Sequence, residues 1–489
     1  MSFVPVILWT DALLYLLVAI CLLYARHAAR HTHLRAPWGR VRQSAVGMGS
    51  AALLCVFVLI GLADSLHYRP LLESKPGATP QYSVEVRSVL ELALRATLGA
   101  MAGKSEKTYS APLATHGFSR ETVEVTAADG KLRQTRELIR LTAGGAHLQD
   151  PERDHAADVA TRTVRGAAAG LVAWLILALG LVAATRPAAG ASLAADWRRA
   201  WAGTSGTPWR AVFLVLLLVC VFAGIMGTLG SAYHLFGTDK VGQDVLYLSL
   251  KSVRTALVIG TLTTLVMLPL GVLMGIAAGY LGGWIDDLIQ YLYTTLNSIP
   301  GVLLIAASVL MMQVYIDGNA AAFPTAVERA DFRLLSLCVI LGVTSWTGLC
   351  RLMRGETLKL RELEYVQAAR AFGVSRLAII VRHILPNVMH LVIISAVMDF
   401  SGMVLTEAVL SYVGVGVDPT MNSFGSMINA ARLEMSRDPM VWWSLAAAFF
   451  FMLALVLAAN LFADVVRDAF DPRLVVRRAR PGPAQAGAR

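Results

Sequence analysis

The run Glu364-Tyr365-Val366-Gln367-Ala368-Ala369-Arg370-Ala371-Phe372-Gly373-Val374-Ser375-Arg376, continuing to His383-Ile384-Leu385-Pro386-Asn387, is the stretch on which the fold turns. Its first half is a good helix former, and Ala368 and Ala369 leave one helix face without bulk, so that another surface can approach closely. Gly373 supplies a turn that a residue with a Cβ would resist. A second amphipathic helix follows, with Leu377, Ile380, Val381 and Ile384 as its apolar stripe. Pro386 limits how far that helix can continue unbroken. The spacing predicts a helix, a turn and a helix lying on a membrane surface with a close-packing knob presented to solvent; an ordinary amphipathic surface pair would look the same at this level.

The surroundings of this stretch are apolar. Of 489 residues 56% are hydrophobic and 16% charged, against about 25% charged in soluble domains, and the mean hydropathy is +0.59. A bilayer core takes roughly 20 apolar residues per helix, and nine segments qualify: 3–24, 44–64, 166–185, 211–232, 255–281, 285–315, 334–352, 390–412 and 440–463. The first has no Lys or Arg at its start, contains Asp11 and is long for a leader, so it is expected to be a retained span. Cys21, Cys55, Cys220, Cys338 and Cys350 all lie in apolar runs without metal-ligand or disulfide spacing. The composition excludes a soluble enzyme, a disordered tail and a disulfide-stapled module, and predicts an all-α polytopic membrane protein.

The net charge of +10 comes from 43 basic and 33 acidic residues. Segments 25–43, 186–210, 351–390 and 464–489 fall on one side of a nine-span arrangement; with the short turn holding Asp286 and Asp287 they carry 22 basic against 9 acidic residues. Short basic loops stay cytoplasmic, which places the N-terminus outside and the C-terminus inside. The surplus belongs to one membrane face, and no nucleic-acid role is expected. The long segment 65–165, with 14 basic and 12 acidic residues, is too long to obey the charge rule. It reads as a small extracytoplasmic α/β domain: helical spacing over 83–102, a strand at Val123-Glu124-Val125-Thr126-Ala127, a turn at Ala128-Asp129-Gly130 and then a helix to 143.

The stretch from 364 resembles the EAA loop of ABC-importer permeases, E-A-A-x3-G-x9-I-x-L-P, with Gln367 at the first Glu, His383 at the first Ile, and Ala368, Ala369, Gly373, Leu385 and Pro386 matching. The His383-to-Asn387 form is that of the peptide and nickel branch. Four further runs are similar to the same branch: Gly237-Thr238-Asp239-Lys240-Val241-Gly242-Gln243-Asp244, with Gln243 in place of Arg; Ala278-Gly279-Tyr280-Leu281-Gly282-Gly283-Trp284-Ile285-Asp286, followed by Ile299-Pro300; Glu407-Ala408-Val409-Leu410-Ser411-Tyr412-Val413-Gly414-Val415-Gly416; and Asn460-Leu461-Phe462-Ala463-Asp464 through Asp471-Pro472-Arg473. The G-T-D opening and D-P-R ending resemble the C-type subunit of dipeptide and oligopeptide importers. The family implies a six-span type I core over 210–473, with a coupling loop at 354–387. Ahead of it stand two extra spans in 1–64, the domain at 65–165, and a third span with its linker in 166–209; a basic tail occupies 474–489. It also implies that Glu364, Gln367, Ala368, Ala369, Gly373, His383, Leu385 and Pro386 dock onto an ATPase. Its partners would be a second, B-type permease, two cytoplasmic ATPase subunits holding ATP and Mg, and an extracytoplasmic binding protein, in the lipid bilayer of a bacterial inner membrane. Tyr291 and Thr294 replace an Arg and an Asp frequent in the family, which leaves the substrate class open.

Gly271, Gly275, Gly279 and Gly283 recur every four residues after Pro269, which is expected to kink the helix. The stripe is either tight packing or a seam along which two helices slide. Gly166 and Gly170 form a second small-residue pair, expected to pack an added helix on the core or on a partner. Acids within spans are costly. Asp64 is expected at an interface and Asp11 at an outer interface or a partner; Asp399 and Glu407, two turns apart, either line a pathway or pair within the core. There is no phosphate-cradling G-x-x-x-x-G-K-[ST], no H-E-x-x-H and no nucleophile elbow, so no cofactor or metal is expected on this chain and no enzymatic activity of its own. An ion-coupled secondary transporter using Asp399 and Glu407 is the alternative, and it would carry inverted repeats, of which none is convincing.

Overall fold

The computed structural model describes residues 3–72, 81–83, 85–99, 104–126, 132–185, 192–203, 206–323 and 325–470. The turn at 128–130, the D-P-R ending and the basic tail lie outside them. The elements in chain order are β1 (Phe3–Val6), α1 (Trp9–Arg30), α2 (Thr32–Gln43), α3 (Ala45–Ser65), β2 (His67–Pro70), β3 (Arg87–Ser88), α4 (Val89–Leu98), β4 (His116–Thr126), β5 (Leu132–Arg140), α5 (Pro151–Ala184), α6 (Leu193–Ala202), α7 (Trp209–Gly230), α8 (Val245–Leu281), α9 (Gly283–Ser298), α10 (Gly301–Gly318), α11 (Ala326–Ser345), α12 (Thr347–Arg361), α13 (Glu364–Ala371), α14 (Arg376–Ile379), α15 (Leu385–Val413), α16 (Phe424–Glu434) and α17 (Trp443–Phe470). Eight helices among the described residues are long and apolar enough to cross a bilayer, and nine when α11 and α12, bent by 41° at Trp346, count as one span.

Three spans differ from the sequence expectation. The first opens at Trp9, because Phe3–Val6 is a strand paired antiparallel with His67–Pro70. The span expected over 285–315 is two helices: Pro300 cannot donate a backbone hydrogen bond, α9 ends at Ser298, and only α10 qualifies as a span. Past Pro386 the helix runs on. A π-turn at Ile380–Ile384 precedes the proline, and α14 through α15 reads as one span. Pro269 likewise lies inside an uninterrupted α8.

The chain divides into two compact units. One comprises residues 1–11, 52–257 and 411–455. In it β1, β2 and β3 form a small antiparallel sheet, and Ser88 caps α4 by accepting from the Glu91 N–H. Leu90, Leu94 and Leu98 of α4 pack on Leu246 and Leu250. The helix expected after residue 130 is strand β5, paired with β4 from Thr126↔Leu132 to His116↔Arg140. Leu132-Arg133-Gln134-Thr135-Arg136-Glu137-Leu138 has no helical apolar stripe to bury, and the strand partner decides its form. Helices α5 and α7 approach backbone to backbone: a Cβ on Gly170 would come within 2.4 Å of the Cys220 carbonyl oxygen, and one on Gly224 within 2.3 Å of the Gly166 oxygen. The added helix therefore packs on the first span of the expected core. Asp11, fully buried, accepts from Arg254 at 2.6 Å and lies 2.8 Å from His67 Nδ1. It faces a partner inside its own chain, contrary to the sequence expectation. Buried Asp64 accepts from Ser88 Oγ at 2.6 Å.

The second unit comprises, among the described residues, 12–51, 258–410 and 456–470. Its core gathers Ile276 and Ala278 of α8, Leu349, Cys350 and Met353 of α12, and Val366, Ile379, Ile384 and Val388 of the segment that follows.

Candidate functional site

The quoted stretch is built on buried feet and presents an exposed apolar knob. Val366, Ile379 and Ile384 are 2% exposed or less. Phe372 is 87% exposed and Leu377 75%, with Tyr365 and Val381 also exposed. The expected stripe is thus corrected: Ile379 and Ile384 are buried, whereas Leu377 and Val381 face outward. Ala368 is exposed and Ala369 rests on the core. Exposed large apolar groups on a rigid base mark a surface that meets a protein partner or a lipid membrane.

Gly373 closes α13. Its φ is +75°; its N–H donates to Arg370 O and the Val374 N–H to Ala369 O, both at 3.1 Å. This is the paired-bond helix stop in which a left-handed residue is required. Ser375 restarts the chain by accepting from the Ala378 N–H. Asn387 Nδ2 donates to Tyr365 Oη at 3.0 Å and to His383 O at 2.6 Å, tying the end of the motif back to its beginning. Gln367 donates to the Glu362 backbone oxygen at 3.2 Å. Beside this turn a cavity of about 810 Å³ is lined by Tyr280, Arg361, Gln367, Arg370, Gly373 and Arg376 among others.

A second set of contacts joins this knob to the spans. Gly271 packs on Leu349; a Cβ on Gly275 would meet the Cys350 oxygen at 2.7 Å, and one on Gly279 the Arg354 oxygen at 2.8 Å. Gly283 does not belong to this row. It opens α9 with φ +56° and has nothing near its Cβ position. Asp286 accepts two bonds from Arg354, at 2.6 and 2.7 Å, a bidentate pair. Hydrogen bonding to Arg354 holds the Asp286 carboxyl below the usual carboxylate range. Helix α8, the turn at Gly282 and the start of α9 are thereby tied along α12, which leads directly into α13.

The two acids of α15 separate. Eight residues on a helix turn through about 80° beyond two full turns, so they do not share a face. Glu407 is 2% exposed and held by interactions within the chain. Asp399 is half-buried, with no hydrogen-bond or ion-pair partner among the described residues. Asp399 and Glu407 therefore do not form a shared two-carboxylate site.

The G-T-D run is a staple. Thr238 Oγ1 donates to Thr108 O and accepts from the Ser110 N–H at 2.7 Å, while Trp443 Nε1 donates to Thr238 O. Asp239 accepts from the Val241 and Gln243 N–H groups. His234 Nδ1 lies 2.7 Å from Asp244. Glu106 accepts from the N–H groups of Thr142, Ala143 and Gly144 and from the Thr142 hydroxyl. Burial pushes the Glu106 carboxyl up, and these bonds outweigh it, holding it below its usual range.

Residues 267–476 match the family of binding-protein-dependent transport system inner membrane components. The chain is 31% identical over 241 residues to the oligopeptide transport system permease protein OppC of Haemophilus influenzae, which covers 49% of this chain and 71% of that protein. It is 34% identical over 244 residues to the glutathione transport system permease protein GsiD of Pectobacterium atrosepticum, covering 50% and 74%. With the dipeptide transport system permease protein DppC of Bacillus subtilis the identity is 31%, covering 50% and 70%. The chain belongs to this permease family.

For the permease, the loop residues named from the sequence occupy several distinct places. Ala368 and Gln367 are on the exposed side, Gly373 forms the turn, and Leu385 and Pro386 begin α15. Glu364 opens α13 and His383 lies in the π-turn. Sequence reasoning passed over Phe372, Tyr365, Asn387 and the Asp286–Arg354 pair. The positions of Asn387 beside Pro386 and of Asp286 in a short turn are the signals that the sequence offers for them.

Proposed function

We propose that this permease is one of two membrane subunits of an ATP-driven importer for peptides or peptide-like solutes. A second, B-type permease completes the pathway. Two separate cytoplasmic ATPase subunits hold ATP and Mg, and an extracytoplasmic binding protein delivers the solute. The exposed Tyr365–Phe372–Leu377–Val381 surface on its buried footing carries this reading: it is a knob for a groove, fixed to α8 and α9 through the glycine row and the Asp286–Arg354 pair. ATPase closure would pull on α13, and α12 would pass that displacement to the spans along Gly271, Gly275 and Gly279. The names of the relatives support a peptide solute.

In this reading the basic loops face the cytoplasm of a bacterial inner membrane, the C-terminus is inside, and 65–165 is outside. The core spans 210–473 behind the added 1–64 and 166–209 segments, with 474–489 a cytoplasmic tail. The test is affinity purification of the full chain from its native membranes in mild detergent. Phe372→Asp should lose the ATPase subunit while retaining the second permease. Retention of the ATPase at the wild-type ratio would contradict the docking assignment.

A further inference from the structure

Helix α15 sorts its side chains into sectors. Phe400 and Val404 lie against Gly260 of α8, Ser401 Oγ donates to Asn460 of α17 at 2.5 Å, and Glu407 is buried. Met398, Gly402, Leu405 and Val409 are exposed and lie along one stripe. At the border of that open sector run Ser395, Asp399, Gly402 and Thr406, spaced four, three and four residues apart and within about 60° of one another around the helix. Asp399 is the fifteenth of the 29 residues of α15, about 21 Å from either end at the helical rise. It therefore lies well inside the continuous span Arg376–Val413 and not at either of its ends.

A carboxylate at that depth is costly in lipid and persists when it faces a partner or a wet path. Its chain offers it no donor among the described residues, whereas Glu407, Asp11 and Asp64 each have internal partners. The neighbours on its edge are small or polar, which suits a passing solute. From this juxtaposition we infer that the Ser395–Asp399–Gly402–Thr406 edge lines the solute path, and that the Asp399 carboxylate receives a protonated amino group of the solute. The inference rests on the importer reading and adds to it a residue of the permease itself that reads the solute's charge: Asp399 favours a free amine over its neutral N-acyl counterpart during passage. A positive group from the second permease would be the competing occupant, and the test separates the two.

The transporter complex is purified through this chain and placed in proteoliposomes, with trialanine and N-acetyl-trialanine as probes. A charge-assisted contact implies about a 10-fold preference for the free amine. Asp399→Asn should abolish that preference with the complex still assembled, and Asp399→Glu should keep most of it. In a background with the five native cysteines replaced, the thiol of Asp399→Cys should react with a membrane-impermeant cationic methanethiosulfonate during ATP turnover. Equal loss of both peptides in Asp399→Asn, dissociation of the second permease, or an unreactive thiol would each overturn the assignment. If the wild-type complex accumulates neither peptide, the peptide reading fails and the amine assignment falls with it. If it accumulates both equally, only the amine assignment fails.

Discussion

Replacement of Gly373 separates backbone geometry from bulk. Its φ of +75° lies in the left-handed region, and an added Cβ would meet nothing within 4 Å. The cost of a side chain here is therefore conformational. A residue with a Cβ pays about 1–2 kcal/mol to hold this conformation, which shifts the turn equilibrium by about 5- to 30-fold since 1.4 kcal/mol is tenfold. Asn tolerates the left-handed region better than Ala, and β-branched residues tolerate it least. Uptake and solute-stimulated ATPase activity of the reconstituted complex should fall in the order Gly, Asn, Ala, Val. Val should lose about an order of magnitude in coupled transport, because the paired bonds from Gly373 and Val374 that end α13 would open. If Gly373→Val transports like wild type, the turn is not part of the coupling path. If Asn fails as badly as Val, bulk in a docked groove, and not backbone conformation, governs the site.

Gly170→Leu should force α5 off α7, since its Cβ already falls 2.4 Å from a backbone oxygen; overpacking of this kind costs about 1–3 kcal/mol or more, read as a lower melting temperature of the purified complex. Arg254→Met leaves the fully buried Asp11 with only His67. It should destabilise toward the lower end of about 3–5 kcal/mol, and Asp11→Asn in the same chain should recover part of that loss, measured by thermal scanning. The Glu106 carboxyl is held below its usual value of 4.5, so its contribution is present above that pH and is lost as pH falls through the lower folded value. Glu106→Gln should lower the melting temperature near neutrality, and the gap to wild type should narrow under acid.

The sequence made the helical membrane class, most spans and the helix, turn and helix around Gly373 legible, because those depend on apolar run length and on local turn chemistry. Gly373 is an example: a left-handed helix stop is written in a single residue. The chain was less legible where a distant partner decides. Residues 132–140 carry no strong helical or strand period and become β5 only by pairing with 116–126. Ile379 and Leu377 are two residues apart and equally apolar, yet the core takes the first and leaves the second exposed. Asp399 and Glu407 look equivalent along the chain, and only the packing of α15 tells the open acid from the held one. The small-residue pair Gly166 and Gly170 announced a close contact without saying against what; its partner, Gly224, lies 54 residues beyond Gly170.

In the proposed importer the exposed knob around Phe372 seats in an ATPase subunit. A photo-crosslinking amino acid placed at Phe372 in the full chain, activated in intact membranes, tests it most directly. One dominant adduct with the cytoplasmic ATPase is expected, sensitive to nucleotide state, and none from the same group placed at Leu138 on β5. An adduct with an extracytoplasmic protein from Phe372, or an ATPase adduct from Leu138, would contradict both the docking assignment and the orientation on which it stands.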